Sequence, residues 1–177
     1  MTVSRHFRKD DAESRADYSR CGAYRYALTR VWDPTGERLL FIMLNPSTAT
    51  ERQNDPTVER CERRAWALGY GAFRVVNIFA FRATDPRDLR RAEDPIGPKN
   101  DAILSEGAQW ADLVLCAWGV HGAYRDQGVL TERKLRHAGY GLWHLGVTKD
   151  GHPRHPLYLP YRARPQRWIA SARRSPT

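Results

Sequence analysis

Short, nearly continuous apolar runs recur along the chain between turn-forming and amphipathic segments. The most apolar of them lies within residues 38–44 and suits a strand that is covered on both faces. Further strands of this kind are predicted at residues 73–79, 113–118 and 142–147. Residues 23–32 alternate bulky and polar side chains, which predicts a half-buried strand joined by a hairpin turn to the first core strand.

Between these runs, apolar residues recur at helical spacing. The pattern predicts helices at residues 56–68, 100–110 and 124–138, and a short helix at 166–169. Asp55 suits the N-cap of the first helix, because Pro56 follows it at a position where the missing N–H costs nothing.

Strands that alternate with helices indicate an α/β protein. We therefore predict a three-layer sandwich with a central, mainly parallel four-stranded sheet and an additional N-terminal hairpin strand. The predicted single domain covers residues 21–170. Residues 1–20 and 171–177 carry charge without apolar periodicity, and both segments are expected to be flexible tails.

Positive charge dominates the polar positions. Lysine and arginine number 29 against 20 acidic residues, which gives a formal net charge of +9. This excess favours an anionic partner, with nucleic acid, and DNA in particular, as the first candidate. An arginine-rich proteome would produce the same excess without such a partner, and lysine occurs only at positions 9, 99, 134 and 149.

The three cysteines, Cys21, Cys61 and Cys116, form no closely spaced pair of the kind that holds zinc or an iron–sulfur cluster. Their odd number and the polar N-terminal residues favour a reduced, cytoplasmic protein. No run approaches the roughly 20 apolar residues of a membrane span, so no membrane partner is expected. Since P-loop and GxGxxG motifs are lacking, we expect no cofactor. A monomer is the favoured oligomeric state.

Polar residues stand where the predicted core strands end. Asn45 follows the first strand, Asn77 lies in the end of the second, Trp118 ends the third and His155 follows the fourth. Ligands of parallel sheets bind outside the carboxyl ends of the strands, so we predict that these residues share a pocket. An amide can hold a water or a base edge, and a histidine can donate near neutral pH.

Four strings resemble the loop motifs of the uracil-DNA glycosylase superfamily and cover most of residues 38–160. They are Phe41-Ile42-Met43-Leu44-Asn45-Pro46, Val75-Val76-Asn77, Leu113-Val114-Leu115-Cys116-Ala117-Trp118-Gly119 and His155-Pro156-Leu157. The resemblance implies the fold of that superfamily, a flipped base, and hydrolysis of the N-glycosidic bond without a metal.

The resemblance also implies roles for individual residues. Asn45 would position the attacking water, Asn77 would pair with the base edge, and His155 would donate to the departing base. Further residues assigned to base binding are Pro46, Ser47, Phe79 and Tyr158. Residues that would support the site are Asp55, Arg82, Asp85 and Trp118. Residues that would contact nucleic acid are Arg154, Arg162 and Arg164. Phe81 is a further candidate for stacking on the base.

A closer resemblance spans nearly the full domain. Its strings are Met43-Leu44-Asn45-Pro46-Ser47-Thr48-Ala49, Asn54-Asp55-Pro56-Thr57, Asn77-Ile78-Phe79-Ala80-Phe81-Arg82-Ala83-Thr84-Asp85-Pro86, Gly97-Pro98-Lys99-Asn100-Asp101 and His155-Pro156-Leu157-Tyr158. They are similar to a bacterial family catalogued as domain of unknown function 1643, which brings no established activity.

The sequence departs from the uracil enzymes at two places. Ser47 stands where those enzymes have glycine, and Leu157-Tyr158 stands where they have Ser-Pro after His-Pro. These departures leave open a damaged or modified base other than uracil as the substrate.

Two other functions fit the same residues. The pocket of a non-catalytic module would bind a base, a nucleotide or nucleic acid without turnover. Alternatively, the carboxylates of Asp55, Asp85 and Asp101, with Glu51, would bind Mg²⁺ or act as a general base in a nucleotide or phosphoester enzyme. Several of these residues also have a purely structural interpretation. Asp55 suits a helix cap, Asp85 suits an Asp-Pro turn, and Asn45-Pro46 suits a turn at the end of a strand.

Overall fold

The computed structural model describes residues 1–170, which form one eight-stranded sheet with helices packed against it. The strands are β1 (Thr2–Lys9), β2 (Ala12–Ser19), β3 (Arg25–Val31), β4 (Arg38–Met43), β5 (Ala72–Asn77), β6 (Leu113–Cys116), β7 (Leu142–His144) and β8 (Gln166–Arg167). The α-helices of this part of the chain are α1 (Pro56–Ala67), α2 (Pro86–Arg91), α3 (Asn100–Trp110) and α4 (Gln127–His137). None of these helices has the length and apolar character that a membrane crossing requires.

The strand order is β1-β2-β3-β5-β4-β6-β7-β8. Strands β5, β4, β6 and β7 run parallel to their neighbours within that group, and the outer ladders are antiparallel. Each face of the sheet carries an apolar core. Val58, Cys61 and Ala65 of α1 pack into one core, and Leu104 of α3 and Leu135 of α4 pack into the other. The apolar central strands are therefore covered on both faces.

The predicted central, mainly parallel four-stranded sheet is wrong. The sheet of residues 1–170 has eight strands, and its ladders are mixed, with four antiparallel and three parallel. The antiparallel ladders come mainly from strands that the apolar pattern does not mark. Strand β8 covers only two exposed residues, Gln166 and Arg167, where a short helix was predicted.

The N-terminal residues form strands β1 and β2 rather than a flexible tail. Strand β1 lies at the sheet edge and is largely exposed, so its composition shows no apolar alternation. Strand β2 buries Ser14, Ala16 and Tyr18 on one face, and two of these three side chains are too small to mark a strand. The predicted tail at residues 171–177 lies outside the described residues.

Strands β3 and β4 do not form the predicted hairpin, because β5 lies between them in the sheet. It pairs antiparallel with β3 and parallel with β4. The helices predicted at residues 56–68 and 100–110 are confirmed to within one residue. The third helix begins at Gln127, after a 3₁₀ segment at Val120–Asp126.

A β-bulge in β3 turns a charged side chain into the core. The register pairs Asp17 with Ala27 and Tyr18 with Arg25, so one extra residue of β3, Tyr26, is inserted between them. Directly paired residues point to the same face of a sheet, and a bulge reverses the alternation beyond it. Arg25 therefore shares the face of Tyr18, where both are buried.

Arg30, further along β3, is completely buried and is held by three acceptors. Its guanidinium donates to Ser14 Oγ at 3.0 Å, to Thr50 O at 3.2 Å and to Asn54 Oδ1 at 2.7 Å. Glu62 of α1 lies 3.7 Å away and supplies the nearest opposite charge. A buried guanidinium needs such partners, so this group fixes the loop between β4 and α1 against the sheet.

We expect Arg30→Met to lower the free energy of unfolding by at least about 3 kcal/mol, because each buried acceptor left without a donor costs about 1–3 kcal/mol. Urea denaturation measures the loss. The matched control is Arg63→Met, which removes an exposed ion pair with Glu59 and should cost less than about 1 kcal/mol. Equal losses in the two variants would contradict the role given to Arg30.

Candidate functional site

A small cavity of about 40 Å³ lies at the carboxyl ends of β4 and β5. It has room for a few waters. Its lining combines polar groups with apolar side chains from the first core: Arg25, Met43, Asn45, Ser47, Asp55, Thr57, Val58, Val75, Asn77 and His155. Of the predicted site residues, the structure thus brings Asn45, Ser47, Asp55, Asn77 and His155 together.

Asn45 is held in one orientation by two hydrogen bonds. Its Nδ2 donates to Pro46 O at 3.1 Å and to Ala83 O at 2.7 Å, which ties the segment after β4 to the segment after β5. Both amide hydrogens are used in this way. The Oδ1 atom is therefore the group of this side chain that remains to accept a hydrogen bond in the cavity.

Asn77, the last residue of β5, is 2% exposed, and its Oδ1 has no hydrogen-bond partner within residues 1–170. Its main-chain carbonyl, by contrast, accepts from Asn100 Nδ2 at 2.7 Å, so the backbone at this point is anchored to α3. Leaving a buried amide oxygen unpaired costs about 1–3 kcal/mol. A group that enters the cavity would recover this cost by donating to Oδ1.

Arg25 is a site residue that the sequence did not indicate. Its Nη1 donates to Ala49 O at 2.8 Å, and its buried Nε has no partner in the described chain. Burial lowers the pKa of Arg25 to about 10, and the nearby Asp55 carboxylate opposes that shift. At neutral pH the Arg25 guanidinium is therefore charged, and the cavity wall carries this positive charge beside the Asp55 carboxylate. The charged residue was missed because the bulge that buries it leaves no mark in the sequence.

Asp55 joins the cavity to α1. Its Oδ1 accepts from Val58 N at 2.9 Å, which is the predicted N-cap, and its Oδ2 accepts from Ala49 N at 3.2 Å. Both oxygens are thus tied to backbone N–H groups, and the carboxylate supports the loop that Arg25 and Arg30 hold.

His155 reaches the cavity from the loop after β7. Its Nδ1 accepts from Leu157 N at 3.3 Å, so the proton of the neutral ring is on Nε2. Burial lowers its pKa, an effect that Asp55 opposes and His121 reinforces. The loop packs closely on the end of β6, where Gly119 has a φ of +73° and a Cβ would lie 3.3 Å from His155 Cβ.

A larger cleft of about 360 Å³ adjoins the cavity. Ser47 lines both spaces, and its Oγ lies 3.1 Å from Thr84 Oγ1, which bridges the segments after β4 and β5. Phe81 and Arg82 also line the cleft. Arg82 Nη1 donates to Gly22 O at 3.3 Å, and its guanidinium lies over the Tyr18 ring.

Several predicted site residues lie elsewhere. Phe79 is buried in the second core against Tyr124, and Trp118 packs against Trp168. Tyr158 is 91% exposed and lines neither the cavity nor the cleft. Pro46 is buried beside Asn45 and contributes its carbonyl. The structure therefore does not place Phe79 or Trp118 where a base would stack.

Asp85 and the predicted phosphate-contacting arginines are also outside the cavity. Asp85 caps α2 and pairs with Arg87 at 2.8 Å. Arg154, Arg162 and Arg164 are exposed, and Arg154 Nε donates to Val147 O at 3.3 Å. These three arginines follow β7 in the chain, as His155 does.

The three aspartates of the magnesium hypothesis are not gathered. Asp55 and Asp85 cap different helices, and Asp101 of α3 pairs with Lys134 at 2.6 Å. Over residues 1–170, no group of three or more His, Cys, Asp or Glu residues is arranged to hold a metal ion.

Fold and cavity together define an α/β protein of mixed sheet with a polar site at the carboxyl ends of neighbouring parallel strands. The sequence model of the family described as "Protein of unknown function (DUF1643)" matches residues 25–157, and the chain belongs to this family. The match confirms the closer of the two predicted resemblances and runs from Arg25 to beyond His155. No curated protein and no solved structure matches the chain. The likeness to uracil-DNA glycosylases stays a prediction.

We expect Asp55→Asn to lower the pKa of His155 further, because it removes the carboxylate that opposes the effect of burial. Asparagine retains an N-cap acceptor, so α1 should persist. An NMR titration of the His155 ring measures the change, with Asp101→Asn as the control. An unchanged or raised pKa would contradict the electrostatic link between Asp55 and His155.

The lowered pKa of His155 also determines how this residue's contribution to folding stability changes with pH. The folded chain binds this proton more weakly than the unfolded chain, so its contribution to stability is present above the ordinary histidine pKa of about 6.5 and declines as the pH falls below it.

Proposed function

We propose that the protein binds a nucleobase at the strand-end cavity and hydrolyses the N-glycosidic bond of a damaged or modified nucleotide in DNA. The observation that supports this most is the convergence of Asn45, Asn77 and His155 on one cavity that contains an unpartnered, buried amide oxygen. Each residue offers a different chemical capacity, and the three together match what base release requires.

Asn77 is the base-recognising residue. Its amide offers an acceptor and a donor side by side, which complements a base edge. The 40 Å³ cavity admits only part of a base, and the adjoining 360 Å³ cleft is shallow and open, so the remainder of the nucleotide lies in the cleft. The base enters through the cleft, where Phe81 offers a stacking contact of about 1–3 kcal/mol. The hydrogen bond between Ser47 and Thr84 must break before the cavity and the cleft form one continuous space.

Asn45 positions the water. Because its two amide hydrogens are bound to carbonyls, Oδ1 accepts from the water and directs the water oxygen toward C1′ of the sugar. A neutral amide does not act as a base. The bond from C1′ to the base therefore breaks first, the base takes the electron pair, and the water adds to the resulting cation and releases its proton to solvent.

His155 stabilises the leaving group. Its neutral ring carries hydrogen on Nε2, since Nδ1 is occupied as an acceptor. A donor aimed at the oxygen of a departing base meets the negative charge that grows there, and such donors contribute about 3–4 kcal/mol in other enzymes. The lowered pKa keeps the ring neutral near pH 7, so it acts by donating a hydrogen bond rather than as a cation.

The test uses single- and double-stranded oligonucleotides that carry a panel of deaminated and modified bases, with EDTA present. Alkali-induced cleavage reports abasic sites. We expect a product with at least one base, and a loss of about a hundredfold in rate for His155→Ala. The matched control is His137→Ala, at the exposed end of α4, which should retain the wild-type rate.

A non-catalytic base-binding module is the second candidate, because a cavity of about 40 Å³ admits part of a base and has no room for the sugar. Oligonucleotide binding that Asn77→Ala abolishes, without any abasic product across the panel, would favour this module and contradict the glycosylase. Activity that appears only with Mg²⁺ in place of EDTA would contradict both.

A further inference from the structure

A groove of about 480 Å³ lies between α3 and the part of the same sheet face that β2, β3 and β5 form beside that helix. It shares no lining residue with the strand-end cavity or with the adjoining cleft. Its lining consists of Thr2, Arg15, Asp17, Ala27, Arg74, Pro98, Lys99, Ala102, Ile103 and Glu106. The volume falls within the roughly 300–1,000 Å³ that is usual for sites of small ligands.

Side chains of the paired strands β2, β3 and β5 form the floor of this groove. Arg15 pairs with Thr29, Asp17 pairs with Ala27, and Thr29 pairs with Arg74, so all five side chains point to the same face of the sheet. Helix α3 forms one wall. Strands β1 and β2 extend the sheet beyond that helix, which leaves the charged floor open.

Arg74 is the preorganised group of the groove. Its Nε donates to Thr29 Oγ1 at 2.9 Å, and its guanidinium stacks on Trp110 at 4.3 Å from the ring centroid. Within residues 1–170 the two Nη groups have no hydrogen-bond acceptor and no carboxylate at salt-bridge distance, although Asp17 and Glu106 are near enough to act on the charge of the guanidinium. A guanidinium fixed in this way presents a rigid fork, which suits two oxygens of one anion.

The other charges limit what the groove accepts. Lys99 is an exposed second cation at the start of α3, whereas Arg15 is neutralised by Asp17 at 2.9 Å. Glu106 supplies an acceptor on the wall, and Ala102 and Ile103 supply apolar surface. A matching ligand has an anionic head, hydrogen-bond donors and a partly apolar body.

We propose that this groove binds a phosphomonoester of nucleotide size. The phosphate sits on the Arg74 fork with Lys99 beside it, hydroxyl or amino groups donate to Glu106, and the flat body lies against Ile103. The site is separate from the proposed base-releasing cavity and does not depend on it.

Isothermal titration calorimetry with adenosine 5′-monophosphate tests the proposal, with adenosine as the probe that lacks phosphate. We expect saturable binding of the monophosphate and at least tenfold weaker binding of adenosine. Arg74→Gln should weaken the monophosphate by about ten- to a hundredfold, the range of a hydrogen bond to a charged group. Arg91→Gln, an exposed change in α2, is the control and should have no effect.

Lys99→Ala keeps the test decisive if Arg74→Gln does not fold, since Lys99 is exposed and its loss should weaken binding severalfold. Inorganic phosphate should compete with the monophosphate and a free nucleobase should not, which separates this site from the base-releasing cavity. Equal affinity for adenosine and its monophosphate, or equal competition by an oligonucleotide without terminal phosphate, would overturn the proposal.

Discussion

Two buried guanidinium groups of one strand hold the loop from which the site is built. Arg25 donates to Ala49 O, and Arg30 donates to Thr50 O and Asn54 Oδ1. A buried charge without such partners would cost several kcal/mol, so neither arginine can release the loop without unfolding the region around it. The loop ends at Asp55, which caps α1 and lines the cavity, and the position of the helix follows from that of the loop.

The site combines rigid groups with buried groups that have no partner within residues 1–170, among them the acceptor Asn77 Oδ1. Asn45 is fixed by two carbonyls and His155 by a backbone N–H, whereas the side-chain oxygen of Asn77 has no partner in the described chain. Preorganised donors and acceptors are effective in catalysis because they need no rearrangement as charge develops. The unpaired oxygen marks where an incoming group gains most from binding.

The apolar runs were sufficient to locate β4, β5, β6 and β7, and helical spacing was sufficient to locate α1 and α3, although neither pattern showed that the sheet is mixed. They were insufficient for β1, which is largely exposed, and for β2, whose buried positions include small residues such as Ser14 and Ala16. At the site, strand-end position predicted the grouping of Asn45, Asn77 and His155. Arg25 escaped prediction because it is buried by a β-bulge, and Phe79 was misplaced because alternation along the chain does not fix which side chain faces the cavity.

The most direct measurement of the central claim is an NMR titration of the side-chain amides of Asn45 and Asn77 and the His155 ring with a free nucleobase from the panel. If the three residues form one base-binding site, their resonances shift together and saturate with a single dissociation constant. Shifts confined to other residues, or different constants for the three, would contradict the assignment of this cavity as the functional site.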